Sequence, residues 1–117
     1  MAPKGARSME HDDKVYNVIV MPGANDRMAE HFEFLARVSE DAAYRLLDTL
    51  IVDIKTLKER PQRNPVYDRP YTPPGKYRYL LSADRYRIVY MIETETVFVD
   101  DIQDCRQDDD KSLLFED

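Results

Sequence analysis

The chain has 117 residues, 43% of them hydrophobic, with one cysteine and a formal net charge of −6. That length predicts a single domain with one modest core. The lone Cys105 excludes an intramolecular disulfide and a metal site built on thiolates, and no run approaches the roughly 18 apolar residues of a membrane span.

Residues 1–13 are polar and of mixed charge, without the apolar stretch of a secretory signal, which predicts a flexible leader on a cytoplasmic protein. Residues 15–21, V-Y-N-V-I-V-M, are short and β-branched, as in a strand buried on at least one face. Pro22-Gly23 ends that strand. Met28, Phe32 and Leu35 recur at helical spacing and predict a helix over residues 24–37. Ser39, followed by Glu40 and Asp41, reads as an N-cap with an acidic first turn. A second helix then runs to about residue 59, with Ala43, Leu46, Leu47, Leu50, Ile54 and Leu57 as its buried stripe. Two antiparallel helices joined at residues 38–39 follow from this.

Pro61 stops the second helix, and Pro65, Pro70, Pro73 and Pro74 predict a constrained surface loop with little regular hydrogen bonding up to Gly75. Next comes a β-hairpin, Tyr77-Arg78-Tyr79-Leu80-Leu81 with Arg85-Tyr86-Arg87-Ile88-Val89-Tyr90. If Ala83-Asp84 is a two-residue turn, Leu80 pairs with Arg87. Tyr77, Tyr79, Leu81, Tyr86, Ile88 and Tyr90 then share the core face, and Arg78, Leu80, Arg85, Arg87 and Val89 the other. An odd turn would carry arginines into the core face, at the cost of burying a charge, so the even turn is the expectation. Residues 96–102 form a third sheet segment, and residues 109–117 an acidic tail beyond a single domain spanning 14–108. The order β-α-α-β-β-β predicts an α+β fold with two antiparallel helices packed on one face of a small antiparallel sheet.

Charge is unevenly spread along the chain. Residues 1–54 hold 6 Lys/Arg against 10 Asp/Glu, residues 55–87 hold 9 against 3, and residues 88–117 hold 2 against 10. A basic island thus lies between acidic flanks, and its field can hold phosphates locally because salt screens exposed charges beyond about 10 Å. Arginine suits phosphate, since its planar fork binds two oxygens and stays charged, but it is a poor proton donor or acceptor. Cleavage of RNA also needs an acid and a base. His11 lies in the leader and His31 on the first helix, expected to face away from the hairpin's arginines, so the residues supply an anion-binding face more readily than a full catalytic set. The bland readings stand beside this one: an exposed Arg85 is commonly paired with a carboxylate, and the four hairpin tyrosines are commonly core. Asp100, Asp101 and Asp104 fit no metal-loop spacing, and no metal or other cofactor is called for.

The element order, Pro22-Gly23-Ala24 at the first helix, Leu57-Lys58-Glu59-Arg60-Pro61 at the end of the second, Tyr77-Arg78, and Tyr86-Arg87-Ile88-Val89-Tyr90 resemble the RelE/ParE superfamily of type II toxin-antitoxin toxins. So does the closing Asp101-Ile102-Gln103-Asp104-Cys105-Arg106. The resemblance covers roughly residues 14–108. It implies a toxin held inactive by a cognate antitoxin and acting either by ribosome-dependent mRNA cleavage, as in the RelE branch, or on DNA gyrase, as in the ParE branch. Carried over by position, it marks Arg78, Arg87 and Arg106 as catalytic; Lys76 and Arg85, in the basic island, are expected as RNA contacts. Leu80 stands where a second lysine is expected, and no tyrosine follows Arg106. The ribosome with its message, gyrase and a second copy of the chain are the further partners implied. The alternative is a non-catalytic protein-binding module on the same scaffold.

Overall fold

The structure, a computed structural model, describes residues 14–106. The expected leader at 1–13 and acidic tail at 109–117 lie outside the described residues. Four strands form one sheet: β1 (Asn17–Val20), β2 (Tyr77–Ser82), β3 (Tyr86–Glu93) and β4 (Thr96–Asp104), in the order β1-β4-β3-β2. Helices α1 (Pro22–Ala36) and α2 (Glu40–Lys55) lie between β1 and β2 in sequence and pack together on one face. The layer arrangement is the expected one. The sheet is mixed, however: β1 runs parallel to β4, pairing Val18 with Val97 and Val20 with Val99, while the other pairs are antiparallel. A strand followed by two helices can return to the same sheet in parallel, which a short hairpin connection cannot do.

Local chemistry sets the helix ends. Pro22 occupies the first turn of α1, where its fixed φ fits and its missing N–H is no loss. Ser39 is extended and its Oγ accepts from the Ala42 N–H at 3.1 Å, with Glu40 and Asp41 in the first turn of α2. A single 3-10 turn, Thr56–Lys58, finishes the second helix, and the left-handed Arg60 leads into another, Pro61–Arg63. Beneath the helices, Ala24, Met28, Leu46, Leu50, Ile54 and Leu57 meet Tyr86, Ile88, Tyr90, Val97, Val99 and Ile102 in one core.

The hairpin register differs from the expected one. Ser82 pairs with Tyr86, Leu81 with Arg87 and Leu80 with Ile88, so the turn holds three residues. Ala83 and Asp84 both take positive φ, 52° and 64°, and the Arg85 N–H donates to the Ser82 carbonyl at 3.2 Å. The shift moves β2 by one residue relative to β3 and exchanges its faces. Leu80 joins the core while Leu81 is 54% exposed. Two features fix this choice. Ser82 is buried and its Oγ donates to Asp53 Oδ2 of α2 at 2.6 Å. Arg78, carried to the helix side, escapes an unpaired burial by donating Nη1 to the Asn64 carbonyl at 2.6 Å. A bulge at Asp100, between the pairs Tyr90–Val99 and Val89–Asp101, then keeps Ile102 facing the helices.

The β3–β4 turn carries strain that can be measured. Glu93 pairs with Thr96, leaving Thr94-Glu95 as a two-residue turn in which Thr94 has φ 56°. Positive φ at the first central residue of such a turn favours glycine and opposes a β-branched side chain. Thr94→Gly is therefore expected to stabilise the fold by about 1 kcal/mol, seen as a rise of about 4 °C or more in Tm. An unchanged or lower Tm would show that the turn stores no such strain.

Candidate functional site

The fold distributes the basic island over several places. Arg78 faces the helix side, opposite Tyr90. It sits beside the Tyr90 hydroxyl, which donates to the Pro61 carbonyl at 2.6 Å and accepts from Asn64 Nδ2 at 3.0 Å. Burial pushes the Tyr90 phenol above its ordinary value, against the opposing pull of Asn64 and of the charges on Arg78 and Arg63. Arg78 thus fastens residues 61–64 to the sheet. Arg87 pairs with Leu81 on the other face, and its Nε donates to Gln103 Oε1 at 3.1 Å. Arg85 lies in the turn, with Nη2 2.7 Å from Asp104 Oδ2. Arg106 is exposed beyond β4, its backbone N–H donating to Asp104 Oδ1 at 3.0 Å. Lys76 is exposed before β2, with Nζ 5.3 Å from the centre of the Tyr77 ring.

The expectation that Arg78 and Arg87 share a solvent face is therefore corrected. They leave the sheet in opposite directions because the three-residue turn exchanged the faces of β2. The Arg85 guanidinium and the Arg106 backbone N–H both meet Asp104 at the hairpin end. Burial raises the Asp104 carboxyl, but hydrogen bonds from Arg85 and from the Arg106 backbone, with the charges of Arg85 and His31, outweigh it and hold the group below its ordinary value. His31, expected to face away, instead reaches the sheet: its Nε2 lies 2.7 Å from the Ile102 carbonyl and its ring 5.0 Å from that of Tyr86.

On the face away from the helices, the proline-rich segment behaves as a strap, a role the sequence reading did not give it. Val66 bridges to Arg78; the Tyr67 N–H donates to the Tyr77 carbonyl at 2.7 Å, and the Tyr79 N–H to Pro65 at 3.1 Å. The strap covers the outer edge of β2, an edge that would otherwise invite pairing with another chain. Tyr67, only 2% exposed, packs with Tyr77, Val89, Tyr79 and Met91 in a second small core. Its hydroxyl donates to Gln103 Oε1 at 3.2 Å and lies 3.1 Å from the Tyr71 hydroxyl. Gln103 Nε2 in turn donates to Asp101 Oδ2 at 3.1 Å, and Asp101 faces Arg27 of α1 at 3.7 Å. A polar chain thus crosses the sheet from the helix layer to the strap.

Tyr67, Arg69, Tyr71, Gln103 and Asp101 were not among the residues singled out for a site. The signal was present in the alternation Tyr67-Asp68-Arg69-Pro70-Tyr71, which sends one aromatic-cationic set to one side of an extended segment. Arg69 Cζ stands 4.9 Å and Arg87 Cζ 5.8 Å from the centre of the Tyr67 ring. Val66, Tyr67, Arg69, Tyr79 and Arg87, with Asp68, line a niche of about 220 Å³. Burial raises the Tyr67 phenol, yet hydrogen bonds with Tyr71, Arg69 and Gln103 and the charge of Arg69 leave it below the ordinary tyrosine value.

A different surface lies on the outside of the helix pair. Asn25, Met28, Ala29, Phe32 and Glu33 of α1 face Tyr44 and Leu47 of α2 across a mainly apolar groove of about 390 Å³. Tyr44 is 58% exposed and stands edge-on to Phe32, with ring centres 5.0 Å apart. Ile51, Val52 and Phe34 are further exposed apolar side chains on the same two helices. Among the described residues, no group of three or more His, Cys, Asp and Glu side chains is placed to hold a metal, and no helix is long and apolar enough to cross a membrane.

Comparison with known proteins gives two findings. The family described as ParE toxin of type II toxin-antitoxin system, parDE, matches residues 18–109. Among solved structures, a chain of the chromosomal ParDE TA system from P. aeruginosa superposes with a TM-score of 0.64 at 12% identity, covering 79% of this chain and 98% of that one. At that identity the likeness is one of fold. No curated protein matches at a significant level.

Proposed function

We propose that this chain, which belongs to the ParE toxin family, is the toxin of a type II pair that arrests growth by gripping a protein target of the gyrase class and leaves message uncut. The observation that carries this reading is the divergence of Arg78 and Arg87 to opposite faces of the sheet. Stabilising a pentavalent phosphate needs cations gathered on one side of it, together with a base and an acid in reach. Here Arg78 serves the Asn64 carbonyl, Arg85 serves Asp104, and the strap lies over the face on which Arg87 stands. Leu80, at the position where the resemblance expects a lysine, is in the core.

The antitoxin's place in this reading is the groove between α1 and α2. An exposed apolar surface bounded by Glu33 and Asn25 suits the apolar stripe of an amphipathic helix, with Tyr44 as the aromatic anchor. Expression of the chain alone is expected to stop growth, and co-expression of a short neighbouring reading frame to restore it. Replacing Tyr44 by Glu, on the exposed side of α2, should weaken neutralisation by about 2 kcal/mol, roughly thirtyfold in Kd, with toxicity retained. Normal growth in cells that accumulate the folded chain would remove the toxin reading and leave the non-catalytic binding module.

A further inference from the structure

We infer that the end of α2 and the two 3-10 turns after it form a docking ledge for the phosphate backbone of duplex DNA. Residues 55–63 hold 4 Lys/Arg against 1 Asp/Glu, a net charge of +3 within a chain of −6. Lys55, Lys58, Arg60 and Arg63 line one hollow of about 430 Å³, with Glu59 the carboxylate among its lining residues. All four cations are exposed, and among the described residues no carboxylate forms an ion pair with any of them. Lys55 lies in the last turn of α2, where it complements the negative end of the helix dipole. The other three lie beyond that turn, where the dipole gives them no such role.

The backbone holds the ledge in shape. Arg60 has φ 48° and ψ 55°, a left-handed conformation that glycine adopts with less strain. An arginine kept there points to a use for its side chain. Arg63 Nη1 donates to the Glu59 carbonyl and, at 3.1 Å, to the Arg60 carbonyl, so its guanidinium is fixed on the turn. The Tyr16 N–H donates to the Lys58 carbonyl at 2.8 Å, and Gln62 Nε2 donates to the Tyr16 hydroxyl at 2.6 Å. These bonds fasten the ledge to the residue that precedes β1. Lys14 Nζ, 4.9 Å from the centre of the Tyr16 ring, adds a fifth cation beside it.

This chemistry suits a polyanion gripped by its backbone. Cations spread over one exposed surface neutralise a row of phosphates and release the counterions condensed on it. None of the side chains lining the hollow is aromatic, so the ledge offers no platform on which the bases of a single strand could stack. Salt confines an exposed charge to about 8 Å at physiological strength, so the acidic remainder of the chain weakens binding without cancelling it. The choice of DNA over an RNA duplex rests on the gyrase reading, because an enzyme that supercoils DNA presents a duplex to whatever grips it. A weak contact suffices there, since the protein contact holds the two together and raises the effective concentration of the duplex.

The test is a fluorescence-anisotropy titration of a labelled duplex of about 20 base pairs with the full chain, from about 50 to 200 mM salt. A single strand and an RNA duplex of the same length, and polyglutamate as a competitor, complete the set. Saturable binding in the micromolar range is expected at the lowest salt, with log K falling against log salt at a slope of roughly −3 to −4. Lys58→Gln combined with Arg60→Gly should weaken binding roughly tenfold and reduce the slope to about −2. Because glycine relieves the strain at position 60, Arg60→Gly alone should lose affinity with its Tm unchanged or raised, which separates binding from folding. No binding at the lowest salt, a slope unchanged in the double variant, or tighter binding of the single strand or the RNA duplex would overturn the site. So would displacement of the DNA by polyglutamate as readily as by unlabelled duplex of equal charge, which would assign the ledge to an acidic protein. The titration contains no gyrase, so its failure leaves the supercoiling assay standing as a separate test of the target.

Discussion

Replacing Asp101 by alanine is expected to cost about 3–5 kcal/mol of stability, the range found when one partner of a buried ion pair is removed. Asp101 is fully buried at the bulge of β4. It faces Arg27 Nη1 at 3.7 Å, accepts from the Ile102 N–H at 2.8 Å, and accepts from Gln103 Nε2 at 3.1 Å. Truncation therefore withdraws a counter-charge from a buried guanidinium and an acceptor from two buried donors at once. Chemical denaturation of the single variant measures the cost directly. Arg27→Met combined with Asp101→Leu should recover the part of the loss due to the unpaired guanidinium, leaving the cost of the Ile102 N–H and Gln103 Nε2 donors without their acceptor. A single-variant loss below about 1 kcal/mol would mean that the pair is dispensable to the fold.

Tyr67→Ala is expected to cost about 3–5 kcal/mol, as for other large aromatic truncations. The ring is the centre of the small core beneath the strap, and its hydroxyl joins the strap to Gln103. Tyr67→Phe keeps the ring and loses only the hydroxyl, so a smaller cost of about 1–2 kcal/mol is expected. Hydrogen exchange separates the two contributions. In the alanine variant the backbone amides at position 67 and of Tyr79, which bond across the strap–β2 seam, should exchange much faster, while amides of β3 and β4 keep their relative protection. If those two amides were unaffected, the strap would be held by its backbone and prolines alone.

Much of the scaffold was legible because its signals are local. Ser39 before two acidic residues announces a helix start whatever the rest of the chain does, and Pro22 marks where a strand ends and a helix begins. The β-branched run around Val18 and the stripe from Ala43 to Leu57 similarly carry their own periodicity. The hairpin register was not local in this sense. Leu80 and Leu81 are equivalent in sequence, and which of them enters the core is decided by contacts that Ser82 makes with Asp53 and Arg78 with Asn64. Counting burial cost alone favoured the even turn; a carbonyl waiting for Arg78 removed that cost.

The candidate site was harder to read for the same reason. Arg87 could be picked out by position, but its partner Gln103 and its neighbours Tyr67 and Arg69 come from segments far apart in the chain. Proline content pointed to a loop with few regular bonds and was wrong in this, because Pro65 uses its carbonyl and Tyr67 its N–H against β2. Polar residues such as Gln103 and Asp101 give no sequence signal of burial. They are buried here because each finds a partner across the sheet.

The division of the arginines between two faces is tested most directly by presenting the purified chain to gyrase in a supercoiling assay and to translating ribosomes carrying message. Blocked supercoiling with intact message is the predicted result. Cleaved message with normal supercoiling would contradict it, since the cations that cleavage requires would then have to act from the same side of the sheet.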